Sequence, residues 1–561
     1  MNWVDHAVSY STMVNRLDAS LSAASSSIAK IFHHTITSLE RRMVNQFLID
    51  AERALNEYEV DIKKHKAAII ALEGKHSQLK KKADKYRSLL SPVHRIPPEV
   101  LARIFHACRN HGPLTSQPTM MKITEVCRRW RDVALSAPYL WSSFISFDFN
   151  EWIYHHDTFE PLDRIIPLLL MRTQACPLDI HLNFAYLKDE QMSTCIASCK
   201  DVFAASHRWR HATIGITPRS YHQPAFEAIR GQLPQLRSLD LTLGDWVTAA
   251  ESFGHLDIFR DCPSLHSFKL RIHEQFRHSP DNILLPYPQL RNVAFDAFNI
   301  QNLLPCLSTA FSHAVHLDIE DFVPSSTTGE SHALLGSVQH LKLTTKWQDQ
   351  SSFIFGLATL PHLLTLEVNG ASTLSLESRP ILPNLWRTFD EKLVVEFIKR
   401  SACDLTSLTL KSIPATDFQT ITLLRLMPTL THLHIEEVDQ VYNGSDKDFN
   451  NRILTTTFFH HLMIDDENAS DTCTPPFLPR LTELVFTASR LGLDQNALLD
   501  AITSRYQHDS GNGFASLRSL SLTVFCRGRE PELPPLRCFT SLKYFQATGL
   551  LLKLTPDDWE A

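Results

Sequence analysis

The side chains that could do chemistry in this sequence are spaced in ways that argue against it. His273 and His278 flank Glu274 in the run His-Glu-Gln-Phe-Arg-His, one residue longer than a zinc-binding H-E-x-x-H. Five residues turn a helix by about 500°, which leaves the two rings about 140° apart and unable to share an ion. The run also follows a predicted strand. Cys195 and Cys199 stand four apart without a second ligand pair, and His155-His156 and His460-His461 are adjacent pairs whose side chains diverge. Glycine is scarce, 16 of 561 residues, and neither G-x-G-x-x-G nor G-x-x-x-x-G-K-[ST] occurs; the single G-x-G, Gly511–Gly513, has no third glycine. A phosphate-cradling loop is therefore not expected. No G-x-S-x-G is present, and nothing assembles a nucleophile, a base and an orienting group. The sequence predicts no catalytic residue, no cofactor and no metal site.

Composition narrows the class further. Hydrophobic residues are 43% and charged residues 21%, which excludes a wholly disordered chain. The balance of 55 basic and 61 acidic residues, a net −6, gives no global case for nucleic acid or an anionic membrane. Eleven scattered cysteines, odd in number and without C-x-x-C, suggest reduced thiols in an intracellular protein of the cytoplasm, the nucleus or both. In such a compartment the glycosylation acceptors at Asn443 and Asn468 would go unused. No secretory signal is visible, and the densest apolar run, Ile165 to Met171, is short and holds Pro167, so no membrane span is predicted. At about 150 residues per domain the length implies about three to four domains, unless part of it is a repeat array.

The elements that could position a function come in sequence. Residues 1–46 read as a flexible N-terminal segment, with the small-residue stretch Ser20–Ser27. Residues 47–91 read as a long heptad helix. Position a is Leu48, Leu55, Ile62, Ile69, His76, Ala83, Leu90, and position d is Ala51, Tyr58, His65, Leu72, Leu79, Tyr86. This period predicts a coiled coil or a helical-hairpin partner, with a possible homodimer through residues 48–90. Residues 61–90 carry nine Lys or Arg against three Asp or Glu, net +6. A solvated face with cations near the helix C-terminus accounts for them, and no aromatic stacking platform accompanies the charges.

Pro92 breaks that helix, and residues 92–145 read as two or three short amphipathic helices. Val100, Leu101, Ile104, Phe105 and Cys108 make one apolar stripe beginning just after Pro98. After a polar loop, His111 to Thr119, a helix is predicted over about Met121 to Ser136, with Ile123, Val126, Cys127, Trp130, Val133 and Ala134 on one face. Such a bundle is too small to be very stable alone, so part of its apolar face is expected to meet another surface. Ile96-Pro97-Pro98-Glu99-Val100-Leu101, then Ile104-Phe105, Val126-Cys127-Arg128-Arg129-Trp130 and Ala137-Pro138-Tyr139-Leu140-Trp141 together resemble the F-box, and the junction after the heptad helix resembles the F-box-like proteins of mushroom-forming fungi. The departures are Ile96 for the usual leucine and a longer link between the first two helices. The resemblance implies docking on a Skp-family linker of a cullin-RING ligase. The docking residues would be Pro97, Pro98, Leu101, Ile104, Phe105, Val126, Cys127, Trp130, Leu140 and Trp141. Some of these must form the bundle core. Trp130 is the expected core residue, and Pro98 and Leu101 are the expected contacts.

Beyond residue 230 the pattern L-x-x-L-x-L returns eleven times, from Leu236/Leu239/Leu241 to Leu542/Phe545/Ala547. Most steps are 24–29 residues, the period of leucine-rich repeats. Steps of 42 and 36 read as insertions, in 370–404 and 438–478, and a step of 51 reads as two units with one unreadable. Alternating apolar positions mark short strands with one buried face, and units that cannot bury their own face must stack. Earlier echoes at Ile180/Leu182 and Ile214/Ile216 suggest a start near 177. The usual ladder asparagine is replaced by Gly244, His273, Phe298 and Phe322 in the first units. The expected fold class is therefore α+β and multidomain. It comprises a long helix or coiled coil (47–91), a small helical F-box-like bundle (92–145), a linker with irregular first repeats (146–230), and an α/β leucine-rich-repeat solenoid, or horseshoe (231–561). The expected function is a non-catalytic substrate-recognition adaptor of an SCF-type ubiquitin ligase, with an unknown protein substrate on the repeats. The alternative is an interaction scaffold that self-associates through the heptad helix outside a ligase.

Overall fold

The structure, a computed structural model, describes residue 22 and residues 36–90, 92–108, 119–142, 145–155, 158–185, 187, 189–244, 255–272, 283–296, 300–320, 332–345, 354–370, 389–437, 452–464, 476–507, 514–525 and 537–557. The His273–His278 run, Gly511–Gly513, Cys473, Cys526, the two glycosylation acceptors, the polar loop from His111 through residue 118 and nearly all of segment 1–35 lie outside the described residues. The chain divides into two compact units, Met1–Leu101 and Ala102–Ala561.

The first unit is dominated by helix α1, Ser38–Leu89, 52 residues and about 78 Å long. It begins about ten residues before the heptad pattern because Thr37 and Glu40 cap it reciprocally. The Thr37 amide donates to Glu40 Oε2 at 2.8 Å, and the Glu40 amide donates to Thr37 Oγ1 at 3.4 Å. The chain itself covers or half-covers Val44, Phe47, Ala51, Ala54 and Tyr58. Most of the predicted heptad seam lies bare. Helix α2, Pro98–Ala107, starts on a proline, where a missing N–H leaves nothing unsatisfied.

In the second unit the helix predicted over 121–136 is two helices, α3 (Thr119–Val126) and α4 (Arg128–Leu135). Cys127 separates them: its backbone is extended, and its Sγ accepts from the Trp130 amide at 3.5 Å, making it the N-cap of α4. Helices, turns and loops then alternate with strands. Fourteen strands among the described residues form one parallel sheet whose spatial order follows the chain. These are β1 (Ile145–Asp148), β2 (Leu178–Asn183), β3 (Trp209–Ile216), β4 (Ser238–Leu243), β5 (Ser267–Ile272), β6 (Asn292–Asp296), β7 (His316–Glu320), β9 (His340–Thr345), β11 (Thr365–Gly370), β12 (Ser407–Lys411), β13 (His432–Glu436), β14 (Glu483–Ser489), β15 (Ser519–Phe525) and β16 (Leu551–Asp557). Two short strands, β8 (Ala333–Leu334) and β10 (Ala358–Thr359), pair separately.

The register explains why this sheet is solenoid-like. Leu239, Phe268, Val293, Leu317, Leu341, Leu366, Leu408, Leu433, Leu484 and Leu520 are successive partners across the strands, and the residues two further on form a second row. All thirty anchors of the first ten units are at most 4% exposed. Each unit's apolar side chains are thus covered by its neighbours'. Four expectations need correction. The sheet starts at Ile145, not near 177. In β3 the aligned pair is Ala212/Ile214 rather than Ile214/Ile216. β13 pairs directly with β14, so the 51-residue step hides no strand between them. Finally, Leu542, Phe545 and Ala547 lie in a helix, Arg537–Ala547, and the last strand follows it. Close stacking of successive turns leaves no room for a side chain at Gly370, where an added Cβ would lie 2.0 Å from the Ser412 carbonyl oxygen.

Three arginines tie turns of neighbouring units together. Arg208 donates to the Cys176 carbonyl and to Thr173 Oγ1. Arg400 donates to the carbonyls of Phe355 and Ala358. Arg505, fully buried, donates to the carbonyls of Leu462 (2.6 Å), Leu478 (3.0 Å) and Phe477 (2.9 Å). Burial without a carboxylate partner among these bonds lowers the Arg505 guanidinium to about 10.

Candidate functional site

The ten residues expected to dock fall into three environments. Leu101, Phe105, Leu140 and Trp141 are buried in the chain, none more than 1% exposed. Cys127 and Trp130 are half-buried, and Pro97, Pro98, Ile104 and Val126 are exposed. Trp141 is held by its Nε1–H, which donates to the Ala134 carbonyl at 2.7 Å, and by the Arg172 guanidinium lying 4.3 Å over its ring. Burial lowers the pKa of Arg172. Trp130 packs against Phe105 with ring centroids 4.9 Å apart, and part of its indole remains accessible. Burial thus ranks Leu101 and Trp130 in the opposite order to the sequence expectation. On helix α2, Val100 and Ile104 stand one turn apart and are 45% and 41% exposed; at the end of α3, Val126 is 60% exposed. Leu135 and Tyr139 in the second unit are also bare.

A second surface was not ranked from the sequence. On the side of the sheet opposite the anchors, the residue between the second and third anchor of each unit joins one continuous row. It runs Asp240, Lys269, Ala294, Asp318, Lys342, Glu367, Thr409, His434 from β4 to β13. Flanking rows hold Arg271, Asp296, Glu320, Lys411 and Glu436 on one side and His316, His340 and His432 on the other. Opposite charges meet across strands: Lys269–Glu320 at 3.0 Å, Arg271–Asp296 at 3.0 Å, Lys342–Asp318 at 3.5 Å and Lys411–Glu367 at 3.4 Å. Lys269 reaches β7 across β6, where Ala294 is small. Asp240 Oδ1, Asp318 Oδ1, Thr344 Oγ1 and Asn369 Oδ1 are buried and accept no hydrogen bond in the structure. Burial raises the Asp318 carboxyl despite Lys342 beside it, and lowers His181 and His434. The His316 and His340 rings stack at 4.1 Å, and burial followed by the neighbouring ring lowers His340. The signal for this row was present in every L-x-L, but only the register shows that the middle residues align.

The remaining chemical candidates assemble nothing further. Cys195 and Cys199 are both buried, and burial followed by the Cys199 thiol pushes Cys195 up, away from a reactive thiolate. His461 Nδ1 lies 3.0 Å from the Thr457 carbonyl within its own helix. Among the described residues no group of three or more His, Cys, Asp or Glu is arranged to hold a metal, and no helix is long and apolar enough to cross a membrane.

Residues 93–145 match the family model described as F-box-like. This segment is an F-box-like domain. The match covers α2, α3, α4 and the Pro138–Leu140 turn, and so contains every residue of the first surface; the domain accounts for under a tenth of the chain. No curated protein matches the chain. Among solved structures, the complex of Rad7 and Elc1 in yeast is similar at 14% identity over 66% of this chain and 92% of that chain, with a TM-score of 0.27.

Proposed function

We propose that this protein is a substrate-recognition adaptor of an SCF-type cullin-RING ubiquitin ligase. Its F-box-like domain would dock on a Skp-family linker, and its sheet, read as a leucine-rich-repeat solenoid, would hold a protein substrate. The observation that carries this reading is the bare apolar set inside the F-box-like domain: Ile104 and Val126 stay exposed while Phe105, Leu140 and Trp141 of the same domain are buried. A small domain that completes a core and still leaves large aliphatic side chains in water has the character of a docking module. Support for the repeat reading comes from the register of the ten anchor sets. Support for a substrate on the open face comes from its continuous row of polar and charged residues, Asp240, Lys269, Asp318, Lys342 and Glu367, which lies on the side of the sheet opposite the anchors. The chain then works by proximity, raising the effective concentration of substrate at the ligase, in an intracellular compartment and without a catalytic residue of its own.

The test is capture of a recombinant Skp-family linker by the full chain. Ile104→Asp with Val126→Asp is expected to weaken capture more than tenfold while the circular dichroism and melting temperature stay unchanged, because both side chains already face water. Unchanged capture by this variant, or no capture by the parent chain, overturns the proposal.

A further inference from the structure

Helix α1 carries an apolar face that the chain leaves uncovered, and its pattern is asymmetric. In the first half of the heptad the bare large residues are at position a: Leu48, Leu55 and Ile62. In the second half the bare residues at position d are Leu72, Leu79 and Tyr86, with Ile69 between the two sets; all seven are 49–70% exposed. The first-half d residues Ala51 and Tyr58 are half-covered by the chain itself. A parallel pair of helices places a against a and d against d, so Leu48, Leu55 and Ile62 would each meet its own copy, as would Ala51 and Tyr58. An antiparallel pair places a against d. With a two-fold centred at residue 67, Leu48 meets Tyr86, Leu55 meets Leu79 and Ile62 meets Leu72 of the other copy, so six of the seven bare residues pair with one another. The same register sets Ala51 against Ala83, Tyr58 against His76 and, at the centre, His65 against Ile69.

Charge points the same way by an independent route. At positions e and g, which flank such a seam, residues 48–61 contribute Glu52, Glu59 and Asp61 and no basic residue. Residues 62–90 contribute Lys66, Lys75, Lys80, Lys82 and Arg87 against Glu73 alone. Side by side in parallel, the basic blocks would face each other, with Lys75 beside Lys80 and Lys82 beside Arg87. Antiparallel, each acidic block lies along the other copy's basic block. We propose that two copies of this chain associate through antiparallel packing of their α1 helices, residues 48–86. The C-terminal ends of the two helices, where each F-box-like domain begins, would then lie about 66 Å apart along the rod.

Sedimentation equilibrium of the full chain is expected to return a species of twice 63.9 kDa at tens of micromolar. Lys80→Glu with Arg87→Glu is expected to weaken the dimer on the order of tenfold, and adding Glu52→Lys with Glu59→Lys to restore it. Glutamate and lysine both favour helix, so these exposed changes leave α1 intact. Carbodiimide cross-linking of a mixture of unlabelled and nitrogen-15 chains should join Glu52 or Glu59 of one copy to the 75–87 lysines of the other. A monomer at those concentrations overturns the proposal, as does a dimer that Lys80→Glu with Arg87→Glu tightens, the response of a parallel pair, or one that the four-residue swap does not restore. An acidic partner or the chain's own first 35 residues on this face would show as that monomer.

Discussion

The F-box-like domain and the sheet use the same kinds of side chain in opposite ways. In the sheet, the thirty anchors of the first ten units are all nearly inaccessible, because every unit has a neighbour to cover it. In the F-box-like domain, Phe105, Leu140 and Trp141 are just as deeply buried, while Ile104, Val126, Leu135 and Tyr139 are not. A stacked array satisfies its own apolar surface; a bundle of short helices cannot, and what it leaves bare is available to something else. Helix α1 takes this further, with its heptad face largely in water.

The largest expected effect sharpens this contrast within one assay. Phe486, fully buried in β14, is expected to lose about 4 kcal/mol of stability on substitution by alanine, whereas Val126→Ala should change stability by less than about 0.5 kcal/mol. Chemical denaturation followed by circular dichroism measures both. Equal losses would erase the distinction drawn between the two regions. Next in size is Arg505→Met, expected to cost about 3 kcal/mol, since it strips three buried carbonyls of their donors while keeping the volume apolar. A loss under about 0.5 kcal/mol in the same assay would show that the clamp is not a determinant of stability.

The smallest effect concerns the open face of the sheet. His181, His211, His340 and His434 all have lowered pKa values, with burial the first cause in each case. The folded state therefore resists protonating them, and the unfolded chain binds those protons first. Stability from this source is present above the unfolded value of about 6.5 and is lost as pH falls below it. The melting temperature should fall between pH 7.5 and 5, and His340→Gln should flatten that slope; a slope unaffected by the substitution would remove His340 from the account.

By itself the sequence determined the long helix, the apolar stripe of α2 and ten of the stacked units, because each is written in a local pattern that a single chain displays: a heptad, a three- and four-residue stripe, and a recurring L-x-x-L-x-L. It misplaced the last unit because Gly549, with φ +119°, stands three residues before Leu552, where the preceding unit has Leu517 before Leu520, while Leu542 and Phe545 imitate the spacing on a helix. It missed the break at Cys127, since a cysteine N-cap has no distinctive pattern, and it missed β1, only four residues long. Only the tertiary structure decided which apolar residues of the F-box-like domain stay in water, which charges meet across β5 to β12, and that Arg505 gathers carbonyls up to 43 residues away. Those outcomes depend on what packs against each side chain, and neighbours that distant in the chain leave no local period to read.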